Sequence, residues 1–146
     1  IGQYGLQVTP LEVARAVAAI ANGGVLFNPT VLKRNGTYGG PISSLPFSPS
    51  QFAVIKEGMR QAVLSGTAQG LYLENIAVAA KTGTAELGTL KKRVNSWIIG
   101  FYPYEKPRYA FAIIMEQGPR ENLIGGLYVM RQLLQWMSIY TPEYLL

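Results

Sequence analysis

Three strand-like segments, joined by short turns in the second half of the chain, constrain its fold most. They run from about Ile76 to Ala85, from Val94 to Tyr102 and from Tyr109 to Gln117, and are rich in apolar, β-branched and aromatic residues. The joining segments, 88–93 and 103–108, combine glycine or proline with charged residues. Connections this short join antiparallel neighbours, because parallel strands need a crossover of roughly a dozen residues or more. The sequence therefore predicts a three-stranded antiparallel meander.

Helical patterns precede and follow these strands. One helix begins at Thr9-Pro10 and another at Ser48-Pro49, and in each the cap residue is followed three positions later by Glu12 or Gln51, as in a capping box. A third helix is predicted from about Asn122 to Tyr140. The residues expected on the buried faces of these helices are Val13, Val17 and Ile20; Phe52, Ile55, Met59 and Val63; and Leu123, Leu127, Met130, Leu134 and Met137. Helices packed on an antiparallel sheet make the predicted fold class α+β.

Glycine- and proline-rich segments predict the connections between the other elements. The connector from Asn28 to Phe47 contains Asn35-Gly36 and Gly39-Gly40, which are turn signals, and we expect a short strand or loop pair there. Gly66-Thr67-Ala68 predicts a turn into a short helix ahead of the first strand of the meander. No internal repeat or low-complexity tract interrupts the chain.

The second and third strands are apolar enough to be central strands of a sheet. Central strands have neighbours on both sides, and an open apolar edge invites pairing with another chain. We therefore expect part of the sheet to be missing and predict that the isolated chain dimerises or swaps strands beside Tyr109–Gln117. The two tryptophans, Trp97 and Trp136, are predicted to be core residues.

The first strand carries Lys81-Thr82-Gly83-Thr84, the most informative motif of the chain. Because side chains alternate along a strand, Thr82 and Thr84 are predicted to share one face, with Lys81 on the other. Gly83 leaves the backbone bare between the two threonines, where a ligand can approach closely. Hydroxyl groups, backbone N–H groups and an ammonium group together suit a carboxylate.

The composition excludes several function classes. The chain of 146 residues contains no His or Cys and no Asp, which removes Ser-His-Asp and Cys-His catalysis and the usual zinc sites from it. We expect no metal and no cofactor. The net charge is +5, but the basic residues are scattered except for Lys91-Lys92-Arg93, which predicts a solvated hairpin tip rather than a nucleic-acid site. No segment approaches the roughly 20 apolar residues of a membrane helix, and no signal-peptide pattern is present.

The order and spacing of short motifs resemble the C-terminal part of the transpeptidase domain of class B penicillin-binding proteins. The resemblance covers nearly the whole chain, and the opening Ile1-Gly2-Gln3 is more similar to the elongation-type branch than to the division-type branch. Ala80 departs from the glycine that many relatives have before the lysine. The matching motifs after the opening are Val8-Thr9-Pro10-Leu11, Ala21-Asn22-Gly23-Gly24, Gly58-Met59, Gly66-Thr67-Ala68, Lys81-Thr82-Gly83-Thr84-Ala85 and Gly100-Phe101-Tyr102-Pro103.

The resemblance implies a role for each residue of the K-T-G-T motif. Lys81 is expected to attract the substrate carboxylate and to support proton transfer around the nucleophile. Thr82 and Thr84 are expected to bind the terminal carboxylate of a D-Ala-D-Ala stem peptide or of a β-lactam, and the backbone N–H of Thr84 to form half of the oxyanion hole. Gly83 is expected to let the peptide lie against the strand edge by β-augmentation.

The family reaction also needs a serine in an S-x-x-K motif and a second motif of the S-x-N type. Serine occurs at positions 43, 44, 48, 50, 65, 96 and 138, and none has lysine three positions later or asparagine two positions later. We therefore expect residues 1–146 to be the C-terminal portion of the domain, inactive alone, with the nucleophile upstream. The expected parent is an extracytoplasmic D,D-transpeptidase with an N-terminal membrane anchor, whose partners are its own upstream half and other cell-wall synthesis proteins.

Two alternatives remain open on the sequence. The first is a non-catalytic relative that senses β-lactams or acts as a scaffold, or a stand-alone remnant that associates through its open sheet edge. The second is a serine β-lactamase, which shares the K-T-G motif. The predicted helix between Val8-Thr9-Pro10-Leu11 and Asn22-Gly23-Gly24 favours a penicillin-binding protein over a β-lactamase.

Overall fold

The computed structural model describes residues 5–32, 39–121 and 124–145. In these residues the protein has an α+β fold, as predicted, with three α-helices and two antiparallel sheets. The elements are α1 (Pro10–Ala21), β1 (Val25–Phe27), β2 (Pro41–Ser44), α2 (Pro49–Leu64), a 3₁₀ turn (Gln69–Leu71), β3 (Ala79–Leu87), β4 (Arg93–Tyr102), β5 (Tyr109–Pro119), α3 (Gly126–Tyr140) and a second 3₁₀ turn (Pro142–Tyr144). Within the described ranges, no helix is long and apolar enough to cross a membrane.

The larger sheet is the predicted meander, in the order β3-β4-β5 with both pairs antiparallel. Its first strand starts at Ala79 rather than Ile76, because Ile76 forms a separate bridge with Leu73. Only β4 has a strand on both sides among the described residues, so the expectation that β5 is also central is not met there. The K-T-G-T strand, β3, therefore lies at an edge of this sheet.

Local capping chemistry fixes the starts of α1 and α2 as predicted. The Glu12 N–H donates to Thr9 Oγ1 at 3.3 Å, and the Thr9 N–H donates to Glu12 Oε2 at 2.8 Å. Ser48 and Gln51 repeat both contacts at 3.3 and 2.8 Å. Each box satisfies backbone donors that a helix start leaves without intrahelical partners.

Two hydrophobic clusters hold the larger sheet, one on each face. The α1 side contains Val17, Ala21, Met59, Ala79 and Phe101. The opposite side, under α3 and the first 3₁₀ turn, contains among others Val63, Leu71, Val78, Ile98, Met130 and Leu134. Ile98 and Phe101 are fully buried, and burying side chains of this size contributes roughly 1.5–3 kcal/mol each. Both clusters lie around the start of β3, and the K-T-G-T motif continues beyond them.

Several side chains lie elsewhere than predicted. Ile55 is 42% exposed, because it lies about 60° around α2 from the line of Phe52, Met59 and Val63, the residues that pack on the core. Trp136 is 52% exposed, since it faces away from the buried Met130 side of α3.

The remaining predictions for connectors and helix ends are met in part. The connector after α1 is a strand pair, β1 with β2, and Gly39-Gly40 directly precedes β2. The predicted turn at Asn35-Gly36 and the residues Asn122 and Leu123 lie outside the described residues. Helix α3 begins at Gly126, later than predicted, because Gly125 has an extended backbone and caps it.

Candidate functional site

The strand β3 carries Lys81-Thr82-Gly83-Thr84 in its middle, paired only with β4 among the described residues. In the register of this pair, Gly83 lies opposite Trp97 and Thr84 lies opposite Ser96. Strand alternation places Thr82 and Thr84 on the face that α3 covers and Lys81 on the face that α1 covers. The structure thus brings the four predicted site residues together on one edge strand.

Two cavities flank this part of β3. The larger, of about 640 Å³, is lined by 81–87 and by residues of the α1 side, among them Val13 and Ile99. The smaller, of about 400 Å³, is on the α3 side, where its polar lining residues are Thr67, Thr82, Thr84, Ser96, Tyr128 and Arg131. Thr82-Gly83-Thr84 and Trp97 line both, so this segment forms a wall between the two cavities.

Lys81 is exposed, and its ammonium group donates to the backbone carbonyl of Thr82 at 2.7 Å. This contact holds a positive charge beside the hydroxyl-bearing segment. An exposed ammonium group with one backbone acceptor keeps donors for an incoming anion, because it has three N–H bonds.

The hydroxyl group of Thr82 already has a hydrogen-bond partner within the protein. It donates to Oγ1 of Thr67 at 2.8 Å. Thr67 belongs to the turn that the sequence predicted, but its contact with the K-T-G-T strand was missed. The two residues are fifteen positions apart in the chain, and no local pattern reports such a contact.

Gly83 and Thr84 complete the segment. A Cβ atom at Gly83 would lie 3.3 Å from Trp97 Cβ, which is tight but leaves room for a small adjustment. Trp97 is half-buried and lines both cavities, so it is a site residue rather than the simple core residue predicted. Thr84 is exposed, and its cross-strand neighbour Ser96 accepts a hydrogen bond from the Gly126 N–H at 3.2 Å.

Charges concentrate at the far end of β3. The Glu86 carboxylate forms ion pairs with Lys91 and Arg120, each at 2.9 Å. The hydrogen bond from Lys91, together with both positive charges, lowers the pKa of Glu86. Glu86 lines the larger cavity, and its side chain is only 24% exposed. Lys91, Lys92 and Arg93 are exposed at the β3–β4 hairpin, as predicted.

The described ranges bring no three His, Cys, Asp or Glu side chains together in a way that could hold a metal ion. Around K-T-G-T the structure places hydroxyl groups, backbone N–H groups and cations, and the carboxylates of Glu86 and Glu116 also line the larger cavity. Hydroxyl groups, N–H groups and cations are the kinds of groups that bind carboxylates and stabilise oxyanions in proteins.

A family model described as the penicillin binding protein transpeptidase domain matches residues 2–133 of the chain. The chain belongs to this family. The match extends from before α1 into α3 and includes the whole meander, so the class B resemblance noted from the motifs is confirmed. The elongation-type branch stays a prediction, and the Ile1-Gly2-Gln3 opening on which it depends lies outside the described residues.

Similar proteins agree with this membership. Penicillin-binding protein H of Bacillus subtilis is 30% identical over 90% of the chain, and the peptidoglycan D,D-transpeptidase PbpA of Mycobacterium tuberculosis is 34% identical over 86%. A solved structure of M. tuberculosis penicillin-binding protein A, an imipenem acyl-enzyme complex, is 29% identical with a TM-score of 0.75. That superposition covers 92% of this chain and 32% of the solved one. The chain spans only 21% and 28% of the lengths of the first two relatives.

Proposed function

We propose that this chain supplies the carboxylate-binding strand of a serine D,D-transpeptidase, which cross-links peptidoglycan stem peptides and is acylated by β-lactams. The observation that carries the proposal is the position of Thr82-Gly83-Thr84 on an edge strand, between two cavities and beside the ammonium group of Lys81. Family membership supports it, and so does the solved relative that is an imipenem acyl-enzyme.

In this proposal the edge strand binds the substrate by β-augmentation. A D-Ala-D-Ala stem peptide lies along β3, where Gly83 presents only backbone. The hydroxyl groups of Thr82 and Thr84, with the charge of Lys81, hold its terminal carboxylate. The backbone N–H of Thr84 then forms half of an oxyanion hole, a contact that strengthens as negative charge develops on the attacked carbonyl oxygen.

We propose that the nucleophilic serine and the S-x-N motif come from an upstream segment of the same protein. None of the seven serines of the chain has the required lysine three positions later. The parent protein acts outside the cytoplasm, where peptidoglycan is cross-linked, held by an N-terminal membrane anchor and working with other cell-wall synthesis proteins. This chain alone is then not acylated.

The free side of β5 has no strand partner among the described residues. We propose that an N-terminal strand of the same domain pairs there and that the isolated chain dimerises through this edge instead. Sedimentation of the isolated chain tests this step. A monodisperse monomer at micromolar concentration would contradict it.

The first experiment is intact-protein mass spectrometry after incubation with benzylpenicillin. It compares this chain alone with the longer polypeptide that joins it to an upstream S-x-x-K segment. We expect one acyl adduct on the longer polypeptide and none on the chain alone. Acylation of the short chain would contradict the upstream position of the serine, and an unmodified longer polypeptide would favour the non-catalytic alternative. Rapid loss of the adduct by hydrolysis would favour a β-lactamase.

A matched pair of threonine variants tests the role of the strand. Thr84→Val in the longer polypeptide is expected to slow acylation roughly ten- to a hundredfold, the range for losing a hydrogen bond to a charged group. Thr89→Val removes a hydroxyl at the exposed hairpin and is expected to leave the rate unchanged. Equal rates for both variants would show that Thr84 does not bind the carboxylate.

A further inference from the structure

The contact between Thr67 and Thr82 joins the K-T-G-T strand to a turn that the family chemistry above does not use. Thr82 donates its hydroxyl proton to Thr67 at 2.8 Å, and both side chains line the smaller cavity with Arg131. A threonine hydroxyl has a single proton and two lone pairs. The direction in which Thr82 points that proton is therefore set by its partner.

The turn that carries Thr67 is held firmly at both ends. Ala68 and Leu71 are fully buried, and the Ala68 N–H donates to the Ala62 carbonyl at 2.9 Å. A Cβ atom at Gly66 would lie 2.9 Å from Ala62 Cα, so the turn packs directly on the end of α2. A hydroxyl on a backbone packed this closely has little freedom to move away from Thr82.

Helix α3 holds the other end of the same turn. The Arg131 guanidinium donates to the Gly70 carbonyl, across 61 residues of chain. A Cβ atom at Gly70 would lie 2.5 Å from Leu127 Cδ2, so the Leu127 side chain of α3 packs directly on the backbone of the turn. The position of Thr67 thus depends on α2 on one side and on α3 on the other.

We propose that Thr67 is a positioning residue of the carboxylate site, acting through the hydroxyl of Thr82. A carboxylate only accepts hydrogen bonds, so binding it requires Thr82 to turn its proton from Thr67 to the ligand. Thr67 then donates its own proton to Thr82 and keeps that oxygen paired. Hydroxyl groups in such a chain polarise one another, which strengthens the outer hydrogen bond. This inference rests on the proposed function of the K-T-G-T strand.

A double-mutant cycle in the longer, serine-containing polypeptide tests the inference. Thr67→Val is expected to lower the second-order rate constant of acylation by benzylpenicillin roughly five- to tenfold, about one neutral hydrogen bond, with the change in the dissociation constant rather than in the acylation step. Thr67→Ser keeps the hydroxyl and is expected to restore the wild-type rate. In a Thr82→Val background, Thr67→Val is expected to have almost no further effect, because its partner is gone.

The methyl ester of benzylpenicillin serves as the probe without a negative charge, and its rate is expected to be insensitive to Thr67→Val. The inference would be overturned if the fold-losses in the acylation rate constant caused by Thr67→Val and by Thr82→Val multiplied in the double variant. An unchanged rate constant in Thr67→Val would also overturn it. Thr67→Ala removes the same hydroxyl with a smaller side chain and replaces the valine variant if that one does not fold. If benzylpenicillin never acylates the wild-type polypeptide, the proposed function itself is refuted. If the wild type is acylated but the two substitutions act independently in the cycle, only the role of Thr67 is refuted.

Discussion

Replacing Gly100 with alanine is expected to separate β3 from β4 just before the K-T-G-T motif. Gly100 is buried in the middle strand and lies opposite Ala80 in the register. An added Cβ atom would lie 2.3 Å from the Ala79 carbonyl oxygen, 2.6 Å from Phe111 Cζ and 3.0 Å from Ala80 Cα. The Phe111 ring can turn aside, but two of the three contacts are with the backbone of β3.

The magnitude follows from how far that backbone has to move. Ordinary contact begins at 3.4 Å, so the Ala79 carbonyl has to shift by about 1 Å. A shift of that size lengthens one or two ladder hydrogen bonds beyond the bonding range, and each contributes about 0.5–1.5 kcal/mol. Overpacking adds its own cost of about 1–3 kcal/mol. We expect Gly100→Ala to lower the free energy of unfolding by about 2–4 kcal/mol, or the Tm by roughly 6–12 °C.

Gly118→Ala is the matched control, because Gly118 is also a strand glycine but its nearest neighbour would be the Val94 carbonyl at 4.0 Å. That change is expected to be neutral or to stabilise by up to about 1 kcal/mol through the unfolded chain. Urea unfolding followed by circular dichroism and tryptophan fluorescence compares the two variants with the wild type. The reasoning would be refuted if Gly100→Ala were within about 0.5 kcal/mol of Gly118→Ala, a difference typical of unremarkable surface substitutions.

Three further outcomes are expected. Gly58→Ala, on the exposed side of α2 with nothing within 4 Å of the new Cβ, should raise the unfolding free energy by about 0.5–1 kcal/mol in urea, whereas the crowded Gly66→Ala should lower it. Tyr104→Phe removes the 2.7 Å hydrogen bond from the Tyr104 hydroxyl to Glu57. The pKa of Glu57 is lowered most by a hydrogen bond from Gln61 and next by the one from Tyr104. The ionised Glu57 stabilises the folded protein above the usual pKa of a carboxyl group, about 4, and this stabilisation is lost as the pH falls through the lowered pKa. Because Tyr104→Phe removes part of it, the free energy of unfolding of the variant should fall less on acidification than that of the wild type. Ile98→Val, at a fully buried position, should cost about 0.5–1.5 kcal/mol by thermal unfolding.

The parts of the fold that could be predicted from the sequence depend on residues close together in the chain. The capping boxes at Thr9 and Ser48 each involve residues three positions apart, and both formed as expected. The meander followed from segments rich in apolar, β-branched and aromatic residues, joined by connections too short for a crossover. The predictions that Ile55 and Trp136 are buried were wrong. The exposure of each side chain depends on which side of its helix faces the sheet, and residue type or spacing alone does not fix how the helix is rotated about its axis.

The candidate site also has a part that could be predicted from the sequence and a part that could not. Lys81 to Thr84 are consecutive, so their juxtaposition on one strand could be read from the chain. The contacts that support the strand could not be, because Thr67 lies fifteen residues from Thr82, and Arg131, which holds the Thr67 turn, lies 61 residues from Gly70. Trp97 was assigned to the core from its residue type, although its position opposite Gly83 puts it at both cavities. Such contacts depend on which segments pack together in the folded chain, and a single sequence does not contain that information.

The features that suit β3 for the proposed peptide binding also make it an open edge of the sheet, on the side opposite β5 among the described residues. A strand that accepts a substrate backbone has to leave one side unpaired, and such an edge also accepts other strands. In the proposed function Lys81 attracts the substrate carboxylate, and its exposed charge on an edge strand also disfavours pairing with another chain. Its hydrogen bond to the Thr82 carbonyl places that charge within the motif itself. Replacing Lys81 with an uncharged residue should therefore increase self-association, measured by sedimentation, as well as weaken carboxylate binding, whereas a role in carboxylate binding alone would produce only the second effect.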